Sequence, residues 1–581
     1  MRVLAPFWRR FRVHSFTLWA GILCIPLVAG FDILLTVKIG DALTKLRAGD
    51  DTEFLRGLFF LLLVIAAAQG TFRFLQRWLI VGVSRRFEVE LKQDLFDKLT
   101  GLSYAWHAKA RSGDLVSRTT SDVENIRMLL GPGSMYVLSS LVIVPGSLIV
   151  LFQISPAVTF GMMIPLSLVV WTMKAMTPRL HRHSTAVQES LAEVSHLAQE
   201  NFGGVRVAKG YGLGAHETER FGGASETNKG HQIDLGRARG LTNSLIHLSY
   251  DLAFLPILFV GGWAMIDASI AVGDLFKFID LGFKVFWPVI ALGWIMGLYP
   301  RALASAERVQ AILEDDSEIE ERADAVAPGA LEGALSLQGV GYTYEGAQRP
   351  ALRDVDVEVP AGSVLGVVGP TGSGKTTLLN LLGRLYEADG TVLLDGQDVR
   401  QLPLASLRGA LGYVPQDSFL FSDTYRANLE FGADDPPVED EELWRLIDLA
   451  AMTREVQEFP DRLEQLIGER GVSLSGGQRQ RSCIARALAK DPRVLILDDA
   501  LSAVDTETEA RLFRSLREAG RGRTVVVSAH RLATVRDADQ VLVLRDGRPD
   551  AIGTHDELLE RSDWYRTTWE HQRMAAELEE L

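Results

Sequence analysis

Six long apolar stretches constrain this chain most. They fall at residues 16–40, 56–83, 133–153, 156–177, 243–267 and 274–299. Each reaches the roughly 20 helical residues needed to cross hydrocarbon. Lipid offers the backbone no water to bond, so a chain crossing it must close its own hydrogen bonds as a helix. Residues 59–68 and 137–153 carry no charge, which argues against six buried helices of a water-soluble protein. Pro26, Pro145, Pro165, Pro256 and Pro288 fall inside the stretches, as bundled membrane helices tolerate. The basic start, MRVLAPFWRRFRVH, precedes a long apolar run without an A-x-A-like cleavage site, and five more runs follow. That reads as a membrane anchor rather than a removed signal peptide.

The connections set the orientation. Segments 39–55, 153–156 and 268–273 are short, and the first is acidic (Asp50, Asp51, Glu53). Segments 1–15, 84–132 and 178–242 are long and hold most of the Lys and Arg. Basic connections face the cytoplasm, so both termini are expected there, in a multi-pass cell (inner) membrane protein. The long inner segments keep helical periodicity, so the helices are expected to run well past the bilayer. Two polar, glycine-broken stretches interrupt them, residues 112–123 (SGDLVSRTTSDV) and 203–221 (GGVRVAKGYGLGAHETERF).

Charges inside spans are costly and are usually paired or functional. Lys277, Asp280 and Lys284 share one helix face by their spacing, and Asp32 and Asp251 could share the bundle interior. Two readings stay open: a polar cavity touching substrate, or a structural ion-pair network.

The 581 residues exceed one core, so at least two domains are expected. Residues 302–326 start helical and turn acidic, and Ala327-Pro328-Gly329 breaks them. The expected division is a membrane domain at 1–310, a linker at 311–330 and a second domain at 331–581. The second part holds 28 basic against 43 acidic residues, while residues 1–330 nearly balance at 32 and 31. With no basic face, nucleic acid is not an expected partner. Cys24 and Cys483 imply neither a disulfide framework nor a metal site.

The second domain carries the chemistry. Residues 369–376 read GPTGSGKT, between the strand-like run VLGVV and a helix-spaced stretch. That is the phosphate-binding loop in its confirming context. Gly372 and Gly374 let backbone N–H groups turn onto phosphate oxygens, at the positive end of the next helix. Lys375 adds a charge for the outer phosphates, and Thr376 a hydroxyl for Mg²⁺. Residues 331–368 alternate apolar and polar as strands do, and Tyr344 stands 25 residues before the loop, where an aromatic could stack on a base. Gln416 follows Pro415. Residues 474–478, LSGGQ, open a second helix with another anion-binding N-terminus. One ATP does not need two such cradles, so this one is expected to face the ATP of another copy. The run LILDD ends a buried strand in Asp498, suited to Mg²⁺ through water, and Asp499 follows. TVVVS is another buried strand, leading to His530, in reach of a γ-phosphate.

Six spans, then Tyr344, GPTGSGKT, Gln416, LSGGQ, LILDD, SAVD and His530 in that order, resemble an ABC exporter half-transporter over essentially the whole chain. The resemblance implies a six-span helical membrane domain followed by an α/β P-loop ATPase domain with an antiparallel β subdomain and a helical subdomain. It implies Tyr344 as the adenine-stacking aromatic. Gly369, Pro370, Thr371, Gly372, Ser373, Gly374, Lys375, Thr376 and Thr377 become the Walker A loop. Gln416 would contact Mg²⁺ and sense the γ-phosphate, and Ser475, Gly476, Gly477 and Gln478 would clamp ATP across a dimer. Asp498 becomes the Walker B aspartate, residues 502–505 the D-loop and His530 the switch histidine. Residues 112–123 and those near 205–211 resemble the coupling helices that dock on nucleotide domains. The cofactors are then ATP and Mg²⁺, and the partners a second half-transporter, an amphipathic solute and the bilayer.

One position departs from the family. The residue after Asp498 is usually glutamate, the general base, and here it is Asp499. Its carboxylate falls back by about a bond length, and a misplacement of about 1 Å can cost on the order of 10²-fold in rate. The expected protein is then one half of a heterodimeric exporter of a drug, lipid or peptide, with a weak site of its own and an intact LSGGQ for its partner. A homodimer in which aspartate suffices, a lipid flippase and an ATP-gated regulator or channel are the alternatives. The spans exclude a soluble ABC protein, and fusion of spans to the nucleotide domain speaks against an importer.

Overall fold

The computed structural model describes every residue except 1–2, 49–51, 268, 318, 323, 434–437, 469–470, 472–473, 502–505, 520–521 and 580–581. Its backbone divides into two compact units, Met1–Thr100 with Arg111–Asp315, and Gly101–Ala110 with Asp316–Leu581.

The first unit is helical. A short helix, Ala5–Phe11, buries Phe7 and Phe11, and Phe11 meets Phe87 edge-on at 5.8 Å. Ser15–Ala48, Thr52–Gly101, Pro156–Gly203, Gly214–Pro256 and Val272–Glu314 are the long helices. Ser112–Ile154 runs on through two π-helical turns, Arg118–Asp122 and Leu129–Gly133, and Ile257–Gly261 is a third such turn after Pro256. Thr52–Gly101 has 50 residues, about 75 Å at helical rise against roughly 30 Å of hydrocarbon. The helices therefore outrun any bilayer, as their periodicity predicts.

Among the described residues, five helices are long and apolar enough to cross a membrane. The sixth expected span is helical too, within Val272–Glu314. This helix packs on Ser15–Ala48 at Gly40 and Gly273, where a Cβ on Gly273 would overlap the Gly40 carbonyl. Leu151, Met162, Ile257, Phe278 and Leu281 fill the interior nearby.

In the second unit the strands are β1 (Leu335–Tyr342), β2 (Leu352–Val359), β3 (Val364–Val368), β4 (Asp389–Leu394), β5 (Gln397–Asp398), β6 (Leu411–Val414), β7 (Val494–Asp498), β8 (Thr524–Ser528), β9 (Gln540–Arg545) and β10 (Arg548–Gly553). They build an antiparallel sheet, β2-β1-β4-β5, and a second sheet ordered β10-β9-β3-β8-β7-β6. In the second sheet β9, β3, β8, β7 and β6 pair in parallel, and β10 closes one edge antiparallel. Every residue of β3, β7 and β8 is buried, as strands covered on both faces require. Gly476–Ala489 packs with Tyr425–Glu430 and Asp440–Leu449 into a helical part. The α/β domain with an antiparallel sheet, expected from the sequence, is the observed one.

Two boundaries differ from the expected ones. The first unit ends near Glu314, where its last helix stops, and residues 316–330 pack on the second unit. There Leu404 N–H donates to Glu321 Oε1 (3.1 Å), Arg384 Nη2 to the Glu320 carbonyl (3.1 Å) and Val326 N–H to the Gln401 carbonyl (3.1 Å). The second difference is an inserted helix. Tyr104–Lys109 begins at Ser103, whose Oγ accepts from Trp106 N–H (3.2 Å), and belongs to the second unit. Ala105 is buried in the cluster of Leu337, Val355 and Leu378, Tyr104 meets Tyr386 edge-on at 5.6 Å, and Lys109 pairs with Glu345. The expected docking stretch, 112–123, is instead helix and π-turn within the first unit. Within the second stretch, Val205–Gly210 forms a short helix with Val205, Val207 and Tyr211 exposed.

Cys24 and Cys483 are free, buried thiols in different units.

Candidate functional site

Residues 369–376, the expected phosphate-binding loop, form the turn between a buried strand and a helix. Buried β3 ends at Val368, and Lys375–Leu382 follows the loop. Gly372 (φ +79°) and Gly374 (φ +102°) are in left-handed backbone, the region open to glycine. At Gly374 a Cβ would also lie 2.6 Å from Leu352 Cδ2 and 2.7 Å from the Ala351 carbonyl. Gly369, Pro370 and Thr371 complete the turn. Lys375 is folded back onto it, donating to the carbonyls of Gly369 (2.9 Å) and Pro370 (3.1 Å). Burial pushes its ammonium below the usual lysine range, while Asp499 and Asp498 pull the other way.

The groups the loop presents fit a phosphate. Ser373 Oγ is buried without a protein partner, and a buried hydroxyl in that state is an unused donor for an anionic oxygen. The helix N-terminus behind Gly374 aims its free N–H groups the same way.

Around the loop the expected residues converge. Thr376 Oγ1 donates to Asp498 Oδ1 at 3.1 Å. Asp498 is buried at the end of β7, and burial raises its carboxyl above the usual range, with the Ser528 and Thr376 hydrogen bonds opposing. Gln416 is exposed, with Nε2 3.5 Å from Asp499 Oδ2. Asp499 itself has φ +46°, a left-handed conformation that aspartate adopts more readily than most side chains. Tyr344 OH lies 3.0 Å from Thr377 Oγ1, and its ring stands edge-on to Tyr342 and Tyr386. His530 is exposed just beyond β8, and its carbonyl accepts from Gln572 Nε2 at 2.9 Å.

The signature stretch forms a separate feature. Ser475 caps Gly476–Ala489: its Oγ accepts from Gln478 N–H (3.2 Å), and Gln478 Oε1 accepts from Ser475 N–H (2.9 Å). Gly476 and Gly477 make the first turn. The expected D-loop, 502–505, lies outside the described residues.

In the first unit the five charges separate. Lys284 Nζ contacts Asp280 Oδ2 (2.7 Å), Asp32 Oδ1 (3.1 Å) and Thr36 Oγ1 (2.6 Å). Lys277 turns to Asp41 (2.7 Å) and Asp274 (3.0 Å). Asp251 is exposed, whereas Asp32 is held by Lys284. Helical spacing fixes which residues share a face but not how one helix is rotated against another.

A cavity of about 630 Å³ is lined by Asp32 and Lys284, but not by Lys277, Asp280 or Asp251. Arg73, Gln76, Arg77 and Ser139 join them there, beside apolar Ile25 and Trp287. Arg73 approaches Asp32 at 3.7 Å, and Gln69 Nε2 donates to it at 2.8 Å. These residues were missed because their span was read by its uncharged middle. Gln69, Arg73 and Arg77 recur every four residues, and that spacing was the available signal.

Residues 18–289 match the family profile described as ABC transporter transmembrane region, and residues 352–502 match that described as ABC transporter. The chain is 32% identical over 521 residues to the multidrug resistance-like ATP-binding protein MdlA of Escherichia coli (strain K12), covering 89% of this chain and 88% of that protein. It is 32% identical over 562 residues to the ATP-dependent lipid A-core flippase of Thiobacillus denitrificans, covering 96% and 95%. The solved structure of a bacterial Atm1-family ABC exporter with ATP bound superposes with a TM-score of 0.74 at 25% identity, covering 98% of this chain and 99% of that one.

Proposed function

The chain belongs to the ABC transporters of exporter type, and from that premise we propose that it is one half of a heterodimer exporting an amphipathic drug, lipid or peptide, with a hydrolytically weak ATP site of its own. Its membership makes it a multi-pass, ATP-binding, ATPase-coupled transporter. The heterodimer and the weak site go further. One observation carries them: Asp499 stands where the general base is expected, one methylene short, with its carboxylate against Gln416 at 3.5 Å.

In this reading Lys375 leaves the Gly369 and Pro370 carbonyls for the outer phosphates. Ser373 Oγ and the N–H groups behind Gly374 bind the same anion, and Tyr344 takes the base. Thr376, Gln416 and Asp498 would hold Mg²⁺, which when bound neutralises charge on the transferring phosphoryl group. Asp499 holds the water poorly, and His530 contacts the γ-phosphate. Ser475, Gly476, Gly477 and Gln478 complete the partner's site. Both termini and the nucleotide domain are cytoplasmic, in the inner membrane. Two bound ATP favour the closed state of the nucleotide domains, and the spans follow because each nucleotide state binds one conformation better. Val205–Gly210, with its exposed apolar residues, offers a docking surface for the partner's nucleotide domain.

Substrate contact narrows to Asp32 and Lys284, with Asp280 acting through Lys284. Lys277, paired with Asp41 and Asp274, is structural, and Asp251 is set aside. Transport measured after Lys284→Ala and Asp280→Ala, with assembly verified, tests this. Unchanged transport removes the substrate role.

ATP hydrolysis by the purified chain without a partner tests the weak site. The expected rate is far below that of an ordinary transporter. Ordinary turnover that Asp499→Asn abolishes would establish a homodimer instead. A second reading, a homodimeric lipid flippase, is favoured by the cavity, where Arg73, Arg77 and Lys284 outnumber Asp32 beside apolar walls, and suits the similarity to the lipid A-core flippase. Substrate-stimulated ATPase activity in the assembled dimer separates either reading from an ATP-gated regulator or channel.

A further inference from the structure

The parallel register of β7 and β8 sets Asp498 opposite Ser528. Ser528 is 2% exposed and follows three valines at the end of its strand, TVVVS. Its hydroxyl makes two contacts. It donates to Asp498 Oδ1 at 2.7 Å and accepts from Asp499 N–H at 2.9 Å. The same Asp498 oxygen accepts from Thr376 Oγ1 at 3.1 Å. Asp499 turns at this point into left-handed backbone, φ +46°.

We propose that Ser528 is a positioning residue of the nucleotide site, aiming the Asp498 carboxylate toward Mg²⁺ and fixing the backbone that carries Asp499. The inference rests on the nucleotide-site reading above. One hydroxyl ties the carboxylate of Asp498 to the backbone of Asp499, two consecutive residues with different expected tasks. An apolar side chain would satisfy the strand equally well, but it would take the Ser528 oxygen from the half-buried Asp499 N–H and leave the buried Asp498 carboxylate held by Thr376 alone. A buried group losing its partner carries a larger penalty than a bond made is worth. Ser528 acts through its neighbours and does not itself touch the phosphates.

The test is a Mg²⁺ titration of fluorescent ATP-analogue binding to the full chain. Ser528→Ala is expected to need about tenfold more Mg²⁺ for half-maximal binding, the scale of one hydrogen bond to a charged group. Binding of the analogue without Mg²⁺ reports that the variant is folded. Ser528→Thr, which keeps the hydroxyl, is expected to restore the original midpoint. A Ser528→Ala curve superimposed on that of the unaltered chain overturns the inference, as does a Ser528→Thr curve that follows alanine. Lys375→Ala separates the two levels: where it abolishes binding, the site reading stands and the Ser528 result judges the inference alone. Binding in the unaltered chain that added Mg²⁺ does not strengthen would remove both.

Discussion

Replacing Asp499 with glutamate restores the missing methylene at the base position. The added bond carries the carboxylate about 1.5 Å further out. A catalytic group misplaced by about 1 Å loses on the order of 10²-fold, or about 2.7 kcal/mol of transition-state stabilisation at 1.36 kcal/mol per tenfold. The opposing term lies in the backbone. Residue 499 has φ +46°, and most side chains other than glycine, asparagine and aspartate cost roughly 1–2 kcal/mol there. If the backbone stays, this cost lowers stability and leaves the rate gain whole. If it relaxes, it takes about half of the gain. Asp499→Glu is therefore expected to raise hydrolysis by about 10- to 100-fold. The assay is phosphate release from the purified chain with saturating Mg-ATP, with Asp499→Asn as the zero. Unchanged or slower hydrolysis by the glutamate variant, with ATP affinity intact, would refute the argument that carboxylate reach limits this site.

Two other outcomes follow from single contacts. Asp122, 3% exposed, accepts from Arg308 Nε (2.8 Å) and Nη2 (2.6 Å) and from Ser305 Oγ (2.9 Å). Asp122→Ala should destabilise the chain by about 2 kcal/mol, below the usual figure for a buried pair because Arg308 is half exposed and can rehydrate. Thermal unfolding in detergent measures it, and Asp122→Asn should recover part of the loss. His555 is held below its usual 6.5 by burial, with Nδ1 2.8 Å from Tyr565 OH. A depressed histidine takes up its proton more readily unfolded, so the second unit should lose stability as pH falls from about 6.5 toward the folded value. His555→Leu should flatten that part of the stability profile.

What the sequence disclosed divides along physical lines. Phosphate binding depends on backbone shape at consecutive positions, so GPTGSGKT located the loop, Lys375 and Thr376 unaided. LSGGQ likewise marked the start of its helix, where Ser475 proves to be the cap. Ser528 stayed hidden because its partners, Asp498 and Asp499, are about thirty positions away and meet it only through strand register. The membrane charges failed for a related reason. Spacing placed Lys277, Asp280 and Lys284 together, yet Lys277 pairs with Asp41 and with Asp274 of its own helix, while Lys284 pairs with Asp280 and reaches Asp32. In the inner segments, polar residues at 112–123 suggested a docking helix, whereas Ser103 supplied the actual cap and small Ala105 the buried contact. A short apolar-faced helix gives little periodic signal against its long neighbours.

The inserted helix Tyr104–Lys109 makes the nucleotide unit discontinuous in sequence. Chain passes between the two units at three places, near residues 100, 110 and 315. A fragment starting at residue 331 would therefore lack Ala105 and uncover the flank of Leu337, Val355 and Leu378 that it shields. It would also lose the clasp of residues 316–330 on Arg384, Gln401 and Leu404. This ATPase is thus stitched into its transporter rather than hung from its end, and excising it along the linear boundary would sever a tertiary part as well as a peptide bond.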